Sequence, residues 1–126
     1  MNYKKVLSEN IYLKDLSSEE LDSILSNCQI KNLNENGRLF AMGDNGNKLY
    51  ILVSGELHLW IKGGREIVLK KGDCFGEIAL ITEHGRLGTI RAVKKSELIA
   101  IEKKALIGGE VISLESSLGI IQKMTS

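Results

Sequence analysis

"KLYILVSGELHLWIKGGREIVLKK", Lys48 to Lys71, decides the fold. Its segments "KLYILVSG", "ELHLWIK" and "REIVLKK" are short, rich in branched and aromatic residues, and divided by "SGE" and "GG" turn signals, which is the make-up of strands joined by hairpins. Within "ELHLWIK", Leu57, Leu59 and Ile61 fall on one face and His58, Trp60 and Lys62 on the other, as in a sheet that rests one face on a core. The same short period continues outward in "RLFAM" before the turn "GDNGN", and in "TIRAVKK" and "ELIAIEKK" further on. About eight short strands at even spacing, with helices only at the ends, predict a mainly β chain with flanking helices: a β-roll or jelly-roll barrel over residues 29–106.

The ends read differently. "YLKDLSSEELDSILSNC" spaces Leu13, Leu16, Leu21, Ile24, Leu25 and Cys28 close to a helical period, and Ser17 with Glu20 offers a capping box, so a helix is predicted over Ser18 to Asn27. From Glu110 to Thr125, Val111, Ile112, Leu114, Leu118, Ile121 and Met124 again approach helical spacing, which predicts a C-terminal helix that Gly119 weakens. A chain of 126 residues supports one core, so residues 1–126 are expected to form a single domain.

Composition narrows the function. No apolar run approaches the roughly 18 residues of a membrane span, and "MNYKKVLSEN" lacks the apolar stretch of a secretion signal, so no membrane partner is expected and the cytoplasm is the expected compartment. A net charge of +1 without a basic block offers no broad attraction to nucleic acid. Cys28 and Cys74 stand apart and read as small core residues, while His58 and His84 are too few and too scattered for a metal site. No serine or cysteine sits in a nucleophile motif, which argues against an enzyme.

Chemistry concentrates in "GDCFGEIALITEHGRLGTI". The segment reads as a strand end at Gly72 and Asp73, a bend at Gly76, a short apolar helical turn from Glu77 to Ile81, a loop to Arg86, and a strand resuming at Thr89. A helical turn begun at a glycine leaves amide N–H groups free to hold an anion. Arg86 adds a planar guanidinium that gives two parallel hydrogen bonds to a phosphate. Glu77, an acceptor when ionised, suits the hydroxyl donors of a sugar beside that phosphate. A structural alternative stays open, in which the glycines serve a barrel corner and Arg86 pairs with Glu77 or Glu83 on the surface.

"FGEIALITEHGRLGTIRA" closely resembles the phosphate-binding cassette of cyclic nucleotide-binding domains, the module of cyclic-nucleotide-dependent kinases, gated channels and catabolite-activator-type regulators. The likeness runs from about Leu13 to Leu106, since "YLKDLSSEELDSIL" resembles the family's N-terminal helix and "GDNGNKLYILVSGELHLW" its glycine-rich hairpin. It implies an eight-stranded roll of that type and a cyclic nucleotide ligand, cAMP with cGMP possible, and no cofactor. By the same likeness Glu77 binds the ribose 2′-hydroxyl, Arg86 the cyclic phosphate, and Gly76 lets the backbone approach the sugar. The amides of Ala79 and Leu87 complete the cradle, with Ile78 in the turn between, and Val53 and Gly55 match hairpin positions that wall the base pocket.

Two positions depart from the family pattern: Gly85 stands where proline usually precedes the arginine, and Leu87 where a small residue usually follows it. The chain stops at Ser126, so the further helix that covers the base in many relatives is expected to be absent, as is a helix-turn-helix. Two classes of function are therefore expected. One is a cAMP sensor that passes a change to a protein partner or a second copy, and the other is an orphan domain of the same fold that binds no nucleotide and serves as a structural or protein-interaction module.

Overall fold

The structure, a computed structural model, describes residues 2–10, 13–39, 48–61, 65–75, 88–102 and 105, and the structural statements below concern those residues. The chain opens with helix α1 (Tyr3–Glu9) and helix α2 (Ser18–Asn27). Strands follow as β1 (Gln29–Leu33), β2 (Lys48–Ile61), β3 (Arg65–Leu69), β4 (Cys74–Phe75) and β5 (Gly88–Glu102). They pair antiparallel in the order β1-β5-β2-β3, with β4 added against β2. No helix among the described residues is long and apolar enough to cross a membrane.

Helix α2 has the predicted bounds and start. Ser17 Oγ accepts from the Glu20 N–H at 3.1 Å, and a Glu20 carboxylate oxygen accepts from the Ser17 N–H at 3.1 Å, so two of the orphan amides at the helix start are satisfied. Helix α1 has no counterpart in the sequence reading. Its seven residues offer only Val6 and Leu7 as buried positions, too few to show a period. An isolated helix that short does not persist in water, so tertiary packing must hold it. Asn2 caps it by accepting from the Lys5 N–H at 3.0 Å, and Lys4 ties it to α2 through Ser18 Oγ at 2.6 Å and Asp22 at 2.9 Å.

The core divides into two clusters on either side of the sheet. One packs Leu7, Leu13, Leu21 and Ile24 of the helical layer against Leu49, Ile51, Val53, Ile99 and Ile101. The other fills the opposite side with Tyr50, Leu52, Leu57, Leu69, Phe75, Ile90, Ala92, Leu98 and Ala100. Each leucine or isoleucine taken wholly out of water contributes about 1.5–3 kcal/mol, so these two clusters dominate the stability of the fold.

The segments read as four strands, "KLYILVSG" with "ELHLWIK" and "TIRAVKK" with "ELIAIEKK", are two long ones, β2 and β5. Ser54 and Gly55 lie within β2 and not in a hairpin turn, because the register irregularities between Leu52 and Leu57 absorb the backbone change that a turn would otherwise need. The predicted C-terminal helix lies outside the described residues.

Candidate functional site

The cassette read from the sequence, residues 76–87, lies outside the described residues, but both of its flanks are described and both are fixed on β2. On the entry side, Lys70 to Asp73 form a tight turn. The Asp73 N–H donates to the Lys70 carbonyl at 2.9 Å, and the Asp73 carboxylate accepts from the Lys70 N–H at 2.8 Å. Gly72 at φ +91° supplies the left-handed step that a side chain would strain. Leu52 clamps this turn by donating to the Asp73 carbonyl at 3.0 Å and accepting from the Gly72 N–H at 2.8 Å. The turn delivers Phe75 opposite Tyr50, where the two rings stack with centroids 5.3 Å apart and planes 14° from parallel. On the exit side, Gly88 pairs with Ile61 and Thr89 with Trp60 at the far end of β2.

Between these anchors β2 changes the face it gives to the second core cluster. Tyr50 and Leu52 point there before the irregular stretch, and Leu57 and Leu59 after it. From the pair Leu52–Leu98 to the pair Leu57–Ala92, β2 advances five positions (52 to 57) while β5 runs back six (98 to 92). Because side chains alternate with period two, that odd slip reverses the parity of β2 while Ile90, Ala92, Leu98 and Ala100 of β5 stay on one face. Gly55 lies in this stretch at φ +99°, close against Ser96 and the Lys95 carbonyl. Ser96 is buried, and its Oγ accepts from the Glu56 N–H at 3.1 Å and donates to the Lys94 carbonyl at 2.8 Å. A buried hydroxyl thus replaces part of the interrupted ladder.

The sequence comparisons agree with this frame. A family model described as "Cyclic nucleotide-binding domain" matches residues 30–108. The chain belongs to the cyclic nucleotide-binding domain family. It is 32% identical over 105 residues to a cAMP-dependent protein kinase regulatory subunit of Schizosaccharomyces pombe, covering 82% of this chain and 25% of that protein. It is 30% identical over 106 residues to a cGMP-dependent protein kinase of Plasmodium berghei, covering 83% of this chain and 12% of the kinase. Among solved structures it is similar to the regulatory domain of Toxoplasma gondii protein kinase A crystallised with cAMP, with a TM-score of 0.77, 25% identity, and coverage of 91% of this chain and 45% of that one. The chain therefore spans less than half of each of these proteins. The fold is the mainly β roll of cyclic nucleotide-binding domains.

Of the residues singled out in the sequence for such a domain, Gly76, Glu77, Ile78, Ala79, Arg86 and Leu87 lie outside the described residues. Val53 and Gly55 are described, and they sit two residues apart at the irregular stretch of β2. Val53 is 0% exposed and its side chain packs in the helix-facing cluster, so it holds the sheet to α1 and α2. Two residues not singled out as site candidates lie on the opposite face of the sheet. Leu59 of β2 and Ile67 of β3 are cross-strand partners, half-buried at the edge of the cluster that contains Phe75. Leu59 alternates with His58 and Trp60 in the sequence, whereas Ile67 sits in the apolar run Ile67-Val68-Leu69, and which cluster the pair joins depends on the parity change upstream in β2.

Among the described residues, a cavity of about 720 Å³ is lined by Val6, Glu9 and Asn10 at the end of α1 and by Leu69, Lys71, Gly72, Asp73 and Cys74 at the β3–β4 connection. Neither Val53 nor Gly55 lines it. Cys28 lies elsewhere, beside the helix-facing cluster, where burial pushes its thiol above the ordinary range and favours the neutral, unreactive form.

Proposed function

We propose that this domain binds a 3′,5′-cyclic nucleotide, cAMP in the first place, through Glu77 on the ribose and Arg86 on the phosphate. On this reading it is a sensor and not a catalyst. The observation that carries the proposal is the cassette "FGEIALITEHGRLGTI" within the family-matched span, with its two flanks anchored at opposite ends of β2. Such an anchoring suits a phosphate cradle, because the segment that carries the proposed ligand contacts is tethered to a rigid sheet at both ends. Leu59 and Ile67 then offer the apolar wall against which the nucleotide lies, while Gly76 admits the sugar and the amides of Ala79 and Leu87, with Ile78 between Glu77 and Ala79 in sequence, complete the contacts to the phosphate.

One relative is a kinase regulatory subunit and another a cGMP-dependent kinase, and by analogy the bound state is passed on to a protein partner or a second copy of the chain, in the cytoplasm. A ligand drives such a change only by its unequal affinity for two states. One observation favours a second reading, that of an orphan domain: Gly85 and Leu87 stand where the family pattern has proline and a small residue. Isothermal calorimetry of the purified protein with cAMP and with cGMP decides between the two. Saturable 1:1 heat supports the sensor, and no heat with either nucleotide at millimolar concentration leaves the orphan domain.

A further inference from the structure

The outward face of β2 carries a cluster of polar and aromatic side chains outside the residues assigned to the proposed nucleotide site. Glu56, His58 and Trp60 alternate along it, β3 contributes Glu66 opposite Trp60, and β5 contributes Arg91 opposite His58. The His58 ring is held between two carboxylates: Nε2 lies 3.1 Å from Glu56 Oε2, and Nδ1 lies 2.5 Å from Glu66 Oε1. Its side chain is only 22% exposed. Trp60 is tilted 50° against the imidazole at 6.0 Å between centroids, and the Arg91 guanidinium sits 5.7 Å from the centre of the Trp60 ring.

Two acceptors on one ring impose a protonation state. Only the imidazolium has a donor on both nitrogens, whereas the neutral ring must turn a lone pair toward one carboxylate. One of the two contacts then opens. The Glu56 contact is internal to β2, but the Glu66 contact joins β2 to β3 across the cross-strand pair Leu59–Ile67 on the reverse face. We propose that His58 is a proton-controlled clamp between β2 and β3, closed when the ring is charged and loosened when it is neutral, which sets the spacing of the Leu59–Ile67 wall from behind.

The surroundings agree. Hydrogen bonds to Glu56 and then Glu66 raise the His58 pKa above 6.5, against a smaller opposing effect of burial. Among the described residues the cations on β5 are Arg91, engaged with Trp60, Lys94, opposite Glu56, and Lys95 next to it, while the hydrogen bonds of the ring go to the two carboxylates. Because the folded value is raised, the clamp contributes fully below pH 6.5 and is lost as pH rises through the folded value.

The test is an NMR titration of the full chain from about pH 5 to pH 9, reading the His58 ring nitrogens, with His84→Gln used to assign the two imidazoles. The expected midpoint lies above 6.5, with both ring nitrogens protonated below it, and the backbone amide signals of Leu59 and Ile67 follow the same midpoint. Glu66→Gln lowers the midpoint and removes the Ile67 response. Glu56→Gln lowers the midpoint but keeps that response, which separates the cross-strand contact from a general loss of charge. A His58 midpoint at or below 6.5, or Leu59 and Ile67 amides that ignore it, overturns the clamp. No nucleotide enters this experiment, so it stands apart from the proposed ligand.

Discussion

Gly55 of β2 stands directly against Ser96 of β5, at the point where β2 changes the face it gives to the core. A Cβ on residue 55 would meet Ser96 Oγ and would lie 2.6 Å from Ser96 Cα and 2.7 Å from the Lys95 carbonyl oxygen. Two of these are backbone atoms, which cannot swing aside as a side chain can. The φ of +99° adds a second obstacle for any L side chain.

Gly55→Ala is therefore expected to destabilise the domain twice over, by about 1–3 kcal/mol for the dihedral and about 1–3 kcal/mol for overpacking. Urea unfolding monitored by Trp60 fluorescence measures the loss. A change under about 0.5 kcal/mol, the range of ordinary surface substitutions, refutes the role given to this glycine.

Much of this was legible in the sequence and some was not, for local reasons. The capping box at Ser17 and Glu20 marked the start of α2, because it is a short-range signal that needs no tertiary context. "SG" at Ser54 and Gly55 looked like a hairpin turn, since a glycine at positive φ serves a turn or an in-strand irregularity equally well. Only the pairing of both β2 halves with one continuous β5 distinguishes them. Helix α1 was invisible because seven residues carry too little period. Family resemblance matches Val53 to a position that walls the base pocket, and the parity of its half of β2 sends its side chain toward the helices. Leu59, past the slip, points the other way.

That contrast gives a second prediction. Val53→Ala removes two methyl groups from a 0% exposed site and should lower stability by about 1–3 kcal/mol, with cyclic nucleotide affinity changed less than about twofold in the folded fraction. Leu59→Ala, at a half-buried site, should lower stability less and weaken nucleotide binding more. Chemical denaturation and calorimetry on the two variants check this together. The reverse ranking would mean that the base side of the site lies on the helical face.

In the proposed site, Arg86→Ala removes a charge-assisted contact to the phosphate, a contact worth about 1.5–3 kcal/mol. Affinity for cAMP should fall roughly 10- to 150-fold. Glu77→Gln keeps an oxygen that accepts from the ribose hydroxyl, so its loss should be smaller. Equal affinities for wild type and Arg86→Ala, measured by calorimetry, take Arg86 out of the site.

Leu87 bears on the choice between purines. In the family, a threonine or serine hydroxyl at this position can hydrogen-bond the guanine amino group, and leucine has no hydroxyl for that contact. The chain should consequently hold cAMP at least as tightly as cGMP. Leu87→Thr restores one neutral hydrogen bond, worth about 0.5–1.5 kcal/mol, so affinity for cGMP should rise roughly 2- to 12-fold. Affinity for cAMP serves as the internal control, because adenine has no amino group at that ring position. Any relief of crowding by the smaller threonine acts on the shared sugar and phosphate and shifts both nucleotides alike, whereas the hydroxyl acts on one. The ratio of the two dissociation constants, measured on wild type and variant in the same buffer, isolates the contact. An unchanged ratio means that residue 87 does not reach the base. A wild-type dissociation constant for cGMP tenfold below that for cAMP would mean that selectivity is written elsewhere in the site.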